Sequence, residues 1–474
     1  MAEGMTETAG RALTTASGTP AKTRIVAVDV TRGVALLGML AANVFDVLNS
    51  NGTPTIAVMT VTGRSATLFA MVAGISLALI TGGRHPAQGP ARQAAAAGIA
   101  VRALLIATIG LALGYVDASS GNVNVILAYY GMFFLLAIPL VGLRPRTLAW
   151  IAAVLVVVAP LLQLEAFRLG LRQTFGTDPT LSAPFTNPAG LLLDLTVTGA
   201  YPAVVYMIYV CAGLAIGRLD LSSTKVAVRL LIGGAALAAA AWEASWVLLF
   251  PLGGVKHLQA AADPGTPPSQ ITNQIVWDPN QVSSWWWLAI RAHHTGTAFD
   301  ALHTLGVAMA VLGAALLMTR FRIARRLLWP VGIAGTMTLT IYSAQTVVLN
   351  TPLQNGNEYG QFGVLVAGTF AFAIIWHRLM GQGPLERIVA VGSGRTRSAV
   401  LAHLTRAQNE PGRGAEPSGL RDDHTAGGGF SRSGHGQTIA AGGLKPGNVR
   451  GIPHVVPQVL PAQADHPQPG QWSR

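Results

Sequence analysis

A chain of 474 residues that is 51% hydrophobic and only 11% charged, with a mean hydropathy of +0.46, is not a soluble globular protein, for which about 25% charged residues is usual. Its formal net charge of +12 does not signal nucleic acid either, because the Lys and Arg residues stand singly or in small groups between apolar runs and not on one polar face. The single cysteine, Cys211, excludes an internal disulfide and cannot build a metal site alone.

The expected fold class is all-α: a polytopic integral membrane helical bundle of about ten transmembrane helices with a disordered C-terminal tail. Residues 1–23 are small and polar and read as an N-terminal cytoplasmic tail. A cleaved signal is not expected, since the apolar run that follows holds charges. Residues 24–392 read as the transmembrane domain, with predicted spans at 30–49, 58–80, 94–115, 123–142, 148–166, 196–217, 229–250, 297–319, 328–349 and 361–380. Basic residues gather in every second connection: Lys22 and Arg24, Arg84 and Arg92, Arg144 and Arg146, Arg218 and Lys225, Arg320 to Arg326, and Arg378 to Arg397. The other connections hold few, chiefly Arg168, Arg172, Lys256 and Arg291. The positive-inside rule then puts both termini in the cytoplasm of a multi-pass cell-membrane protein.

Two outer connections, about 167–195 and 251–296, are long enough for structure of their own. The second contains Trp285 to Trp287, whose indoles suit the headgroup layer and are expected to anchor the loop. Residues 393–474 turn to Gly, Pro, Arg, Gln and His, as in HTAGGGFSRSGHGQ, and read as a disordered cytoplasmic tail. Its histidines lack ligand-like spacing, and no metal site is expected.

Ionisable residues inside the spans are the informative ones, since each costs on the order of 2.5–3.5 kcal/mol at mid-membrane without a partner or a wet cavity. In RIVAVDVTRGVALLGMLAANV, Asp29 and Arg32 are three apart and share a helix face. Arg32 either snorkels with Asp29 as its cap, or offers its guanidinium to an anionic ligand. Asn43 and Asp46 repeat that spacing toward the outer end, as suits a helix lining a path. Arg64, in GRS, lies in the outer part of the second span where topology gives it no reason to be, and Asp46 is the expected counterion. Asp300 and His303 are spaced so that an acid can orient an imidazole. Glu243, in AWEASW, is a lone intramembrane carboxylate, expected to partner a buried arginine.

The opening run, with Arg24, Asp29, Arg32, Gly33, Gly38, Met39 and Asn43 in order, resembles the first helix of the heparan-alpha-glucosaminide N-acetyltransferase and YeiB-like transmembrane acyltransferase superfamily, in its bacterial uncharacterised-domain branch. GRSATLFAMVAGISLAL, ILAYYGMFFLLAIPLVGL, TGAYPAVVYMIYVCAGLAIGRLDL, HTGTAFDALHTLG and GPLERIVA resemble that branch in the expected order, over about residues 24–392. The resemblance implies an acyl, usually acetyl, group taken from cytoplasmic acyl-CoA as co-substrate, with no bound cofactor. It is delivered to a sugar, lipid or small-molecule acceptor on the far side of the bilayer. Asp29, Arg32, Arg64 and Arg387 become candidates for substrate binding; Arg32, Arg84, Arg92, Arg378 and Arg387 are expected at the cytoplasmic mouth, and Arg64 in the outer part of the second span. A homodimer is left open, and no nucleic-acid partner is expected.

The departures bear on chemistry. Residues 47–62 contain no histidine and the second span starts without a carboxylate, where human-type members carry both. The bacterial branch often has histidine where this chain has Asn43 and Gln345; both amides hydrogen-bond but accept no proton near neutral pH. The candidate catalytic residues are therefore His294, Asn43, Gln345 and Asp300, with His293 and His303 nearby. Tyr201, Tyr206 and Tyr342 read as packing residues. The alternative is a non-catalytic transport or envelope-maintenance protein on the same scaffold.

Overall fold

The computed structural model describes residues 25–49, 53–117, 123–175, 178–261, 281–351 and 357–409. The chain divides into compact units 1–413 and 414–474; the second unit and the N-terminal segment 1–23 lie outside the described residues. Among the described residues the regular structure is helical apart from an isolated bridge between Leu48 and Pro54.

The order begins with α1 (Val26–Val44), α2 (Ile56–Thr60), α3 (Arg64–Ile80), α4 (Gly89–Asp117), α5 (Leu127–Ala137) and α6 (Pro145–Arg168). It continues with α7 (Ala183–Thr186), α8 (Pro188–Leu193), α9 (Ala203–Gly217), α10 (Thr224–Leu249), α11 (Gly254–Ala261) and α12 (Ala298–Met318). It closes with α13 (Arg322–Leu327), α14 (Trp329–Ala334), α15 (Thr338–Leu349), α16 (Glu358–Met380) and α17 (Pro384–Asn409).

Among the described residues, seven helices are long and apolar enough to cross a membrane, counting Ile56–Ile80 as one. The bent pair Pro188–Thr198 and Ala203–Gly217, at 57°, makes eight. The expected total of about ten is therefore not reached by length and composition. Predicted spans 123–142 and 328–349 contain shorter helices, Leu127–Gly142 and Thr338–Leu349. The second is short because the chain breaks at Gly335–Met337 between α14 and α15. The tail also departs from expectation, since α17 carries helix to Asn409. It packs along α4, buries Val389 and ties Arg397 to the Ile80 carbonyl at 3.3 Å. Tertiary packing supplies what its weak apolar period does not.

Helix α3 is the centre of the bundle, with α1, α9 and α12 packed around it. It meets α9 closely because Gly74 faces Gly213; a Cβ on either would come within 3.1 Å of the other's Cα. Gly63, with φ +72°, separates α2 from α3 and lets Arg64 open a new helix.

The basic connections meet at one end of the bundle. Arg84 pairs with Asp220 at 3.4 Å, and the Arg320 guanidinium donates to the Ser222 carbonyl at 2.7 Å. The buried Arg218 (5% exposed) donates to the carbonyls of Ala78 (3.1 Å), Gly83 (2.7 Å) and Val141 and to Thr81 Oγ1 (3.1 Å). It thereby clamps the end of α3, the following turn and the 3-10 turn Ile138–Gly142. Replacing Arg218 by Met should leave these carbonyls unanswered and cost about 3 kcal/mol, read as earlier unfolding in detergent than for the exposed Arg322→Met. Equal unfolding of the two variants would show that the clamp carries no stability.

Candidate functional site

Two spaces are arranged along α3. The larger, about 500 Å³, opens toward the basic end and is lined by Arg32 of α1, Phe69 and Ser76 of α3, Arg102 of α4, Tyr130 of α5 and Glu386 of α17. Arg32 donates to Ser76 Oγ and lies 3.4 Å from Asp29 Oδ1. Glu386 is fully engaged: its carboxylate accepts from Leu339 N (2.7 Å), Thr340 N (3.1 Å) and Thr340 Oγ1 (2.6 Å), capping the start of α15. Arg102 makes no hydrogen bond or close ion pair among the described residues. A cavity presenting two guanidinium groups, with its one carboxylate already committed, suits an anionic ligand with an apolar portion.

At the other end of α3 two narrow crevices, about 20 Å³ and about 10 Å³, share Asp300. The first is lined by Gly63, Thr67, Gln163, Tyr206, Tyr209 and His294, the second by Arg64, Arg291, His293 and His303. His303 sits on α12, where its Nδ1 is 3.0 Å from the Ala238 carbonyl. A carbonyl only accepts, so Nδ1 carries the proton and Nε2 is free to accept from Arg64 Nη2 at 3.3 Å. Asp300 accepts from Gly296 N at 3.3 Å, and Thr297 Oγ1 caps α12 by accepting from Asp300 N at 3.2 Å.

The loop between Ile290 and Thr297 carries the remaining histidines. His294 has φ +59°, the one non-glycine residue among those described in the left-handed region, a strained conformation that such loops hold at functional sites. Gly63 leaves room for this loop: a Cβ there would stand 2.7 Å from His293 Cβ. Burial, then the nearby Arg64 charge, pushes the His293 imidazole down to about 4. His294 has an exposed residue surface but sits among densely packed protein. That desolvation, then the neighbouring His293, pushes its imidazole below the ordinary value and toward the neutral form. Burial and Arg64 lower Arg291 to about 10.

Aromatic rings connect the two spaces. Phe69 meets Tyr130 (5.4 Å), Tyr130 meets Phe133 (5.2 Å), and Phe133 stacks on Tyr206 (5.3 Å). Tyr206 then meets Tyr201 (5.6 Å), whose ring meets His294 (5.5 Å). On α3 itself, Thr67 lines the crevice and Phe69, two residues on and on the opposite face, lines the cavity.

The structure thus brings His294, Asp300 and Arg64 together, and places Arg32, backed by Asp29, at the cavity. Asn43 is half-buried near the end of α1 and lines neither space. Gln345 is buried and donates to Thr369 Oγ1 at 2.9 Å, also away from both. Arg387 is exposed and lines neither. Three expected partnerships are corrected. Asp46 is exposed, and Arg64 finds His303 in its place. Glu243 is exposed on α10 and partners no buried arginine among the described residues. The carbonyl of Ala238, not the Asp300 carboxylate, orients His303.

Three residues escaped the sequence reading. Arg102 stands inside predicted span 94–115 and was open to the argument applied to Arg64. Glu386, next to the chosen Arg387, carries no sequence signal beyond its place in GPLERIVA. Gln163 of α6 has a buried Oε1 with no partner among the described residues and lines the His294 crevice; an amide in an apolar span was its only sign.

Residues 24–250 match the family model for Heparan-alpha-glucosaminide N-acetyltransferase, catalytic. The match takes in Arg32, Arg64, Arg102 and Gln163 and ends before the histidine loop. Among curated proteins nothing matches the chain.

Because the folded protein holds His293 near 4 against an ordinary 6.5, neutral His293 contributes stability that is complete above pH 6.5 and is lost as pH falls toward 4. A series of thermal melts should show this acid loss, and His293→Gln should reduce it. An identical acid profile in the variant would mean that His293 titrates normally.

Proposed function

On the premise that the chain belongs to the heparan-alpha-glucosaminide N-acetyltransferase-like family, whose acetyltransferases use acetyl-CoA as donor, we propose that it is a membrane acetyltransferase with its donor in the Arg32–Arg102 cavity and its acceptor at the His294 crevice. The observation that carries this reading is the shared helix: α3 lines the cavity with Phe69, Ala73 and Ser76 and the crevice with Gly63 and Thr67. With the basic end in the cytoplasm, the phosphates of acetyl-CoA meet Arg32 and Arg102, and its thioester arm runs along α3 toward Thr67. The acceptor is an amine or hydroxyl of a sugar, lipid or small metabolite on the opposite side.

In this reading the neutral His294 imidazole takes the proton as the acceptor nitrogen or oxygen bonds to the thioester carbonyl carbon. The C–S bond then breaks and the departing thiolate receives that proton. Asn43 and Gln345 lie off this route, and a gain of activity on restoring histidine at Asn43 is not expected. Gln163 Oε1, without a partner among the described residues, accepts a hydrogen bond from the acceptor's N–H or O–H. Asp300 accepts from the Gly296 amide, and Arg64 holds His303, which together fix the loop around His294.

Transfer from labelled acetyl-CoA to a panel of amino and hydroxyl acceptors tests the assignment. Arg102→Gln should raise the donor KM about ten-fold with kcat nearly unchanged, the signature of lost uniform binding. His294→Ala should lower kcat by about 100-fold or more without moving the donor KM. A fully active His294→Ala would remove the base from this scheme, and an unlabelled panel with the native protein would favour a non-catalytic role.

A further inference from the structure

A third space lies beside the donor cavity. It is a groove of about 500 Å³ lined by Asp29 of α1, Arg325 and Arg326 of α13, Trp329 and Ile333 of α14, and His377 of α16. Arg325 and Arg326 are exposed and have no hydrogen-bonding side-chain partner or ion pair among the described residues. The groove's carboxylate does not answer them, since Asp29 lies 3.4 Å from Arg32. His377 Nδ1 donates to the Gly381 carbonyl at 3.0 Å, so the ring is held in place beside the groove. The groove therefore offers positive charge over an apolar floor that includes Val26 and Ile333.

The flanking segment narrows the occupant. Between and beside the arginines, Phe321 (69%), Ile323 (75%) and Leu327 (75%) are exposed, as is Trp329. A surface alternating guanidinium and large apolar side chains is unfavourable in water and favourable at the headgroup layer, where Arg meets phosphate and Trp sits at the boundary. A free polyanion would answer the charges and leave the apolar floor bare. A neutral lipid would cover the floor and leave two guanidinium groups without an anion.

We propose that this groove is a binding site for an anionic phospholipid of the leaflet at the basic end, its phosphate between Arg325 and Arg326 and an acyl chain along Trp329 and Ile333. Thr336 lines both this groove and the donor cavity, so the bound lipid packs against the segment joining α14 to α15. The site does not depend on the transferase reading.

Native mass spectrometry of the full chain released from nanodiscs of equal phosphatidylcholine and phosphatidylglycerol tests it. The native protein should retain phosphatidylglycerol several-fold over phosphatidylcholine. Arg325→Gln with Arg326→Gln should abolish that preference while melting like the native protein. Arg144→Gln with Arg146→Gln, exposed charges outside the groove, should keep it. No enrichment in the native protein, undiminished enrichment in the groove variant, or equal loss in both variants would overturn the proposal. Displacement of the lipid by coenzyme A would also overturn it, by assigning the groove to a nucleotide.

Discussion

The contact between Arg64 and His303 is the constraint on which the end of the bundle opposite the basic connections depends. An arginine at the start of a bilayer-spanning helix needs an answering group, because leaving it in hydrocarbon costs on the order of 2.5–3.5 kcal/mol. His303 supplies a lone pair at 3.3 Å, and only because the Ala238 carbonyl fixes its tautomer from α10. Three helices, α3, α10 and α12, are thereby set in register by polar contacts in an otherwise apolar interior. The break at Gly63 is part of the same arrangement: it starts α3 at Arg64 and leaves space for His293. The strained His294 follows in that loop, lining the crevice with its ring against Tyr201 and His293.

The arginines divide by what answers them. Arg218 donates to four groups of its own chain and is structural. Arg32 is engaged by Ser76 and Asp29 while it lines the cavity. Arg102, Arg325 and Arg326 make no such contacts among the described residues, and each lines a space large enough for a ligand. In a chain with 11% charged residues, cations left facing open spaces separate ligand-binding surfaces from topology signals more clearly than position in the sequence does.

Much of this was legible in the sequence, for identifiable reasons. Apolar length reports bilayer crossing directly, so the all-helical membrane architecture was readable. Arg64 stood out because an arginine in an outer half-span violates the expected charge bias. Its partner was not readable: His303 is 239 positions away, and nearness in sequence favoured Asp46, which faces outward. Asn43 and Gln345 were chosen for what relatives carry at those positions, and the fold puts both outside the two spaces. The helical continuation to Asn409 was hidden because its stability comes from packing on α4, which a weak apolar period does not announce.

In the proposed transfer the acetyl group passes along α3 from a donor in the Arg32–Arg102 cavity to an acceptor at the His294 crevice. The most direct measurement uses sealed vesicles holding the protein in one orientation, with labelled acetyl-CoA supplied only at the basic end and an acceptor enclosed at the other. Labelled acceptor should then appear inside the vesicles, with transfer lost in His294→Ala. Transfer that occurs only when donor and acceptor share one compartment would contradict that route.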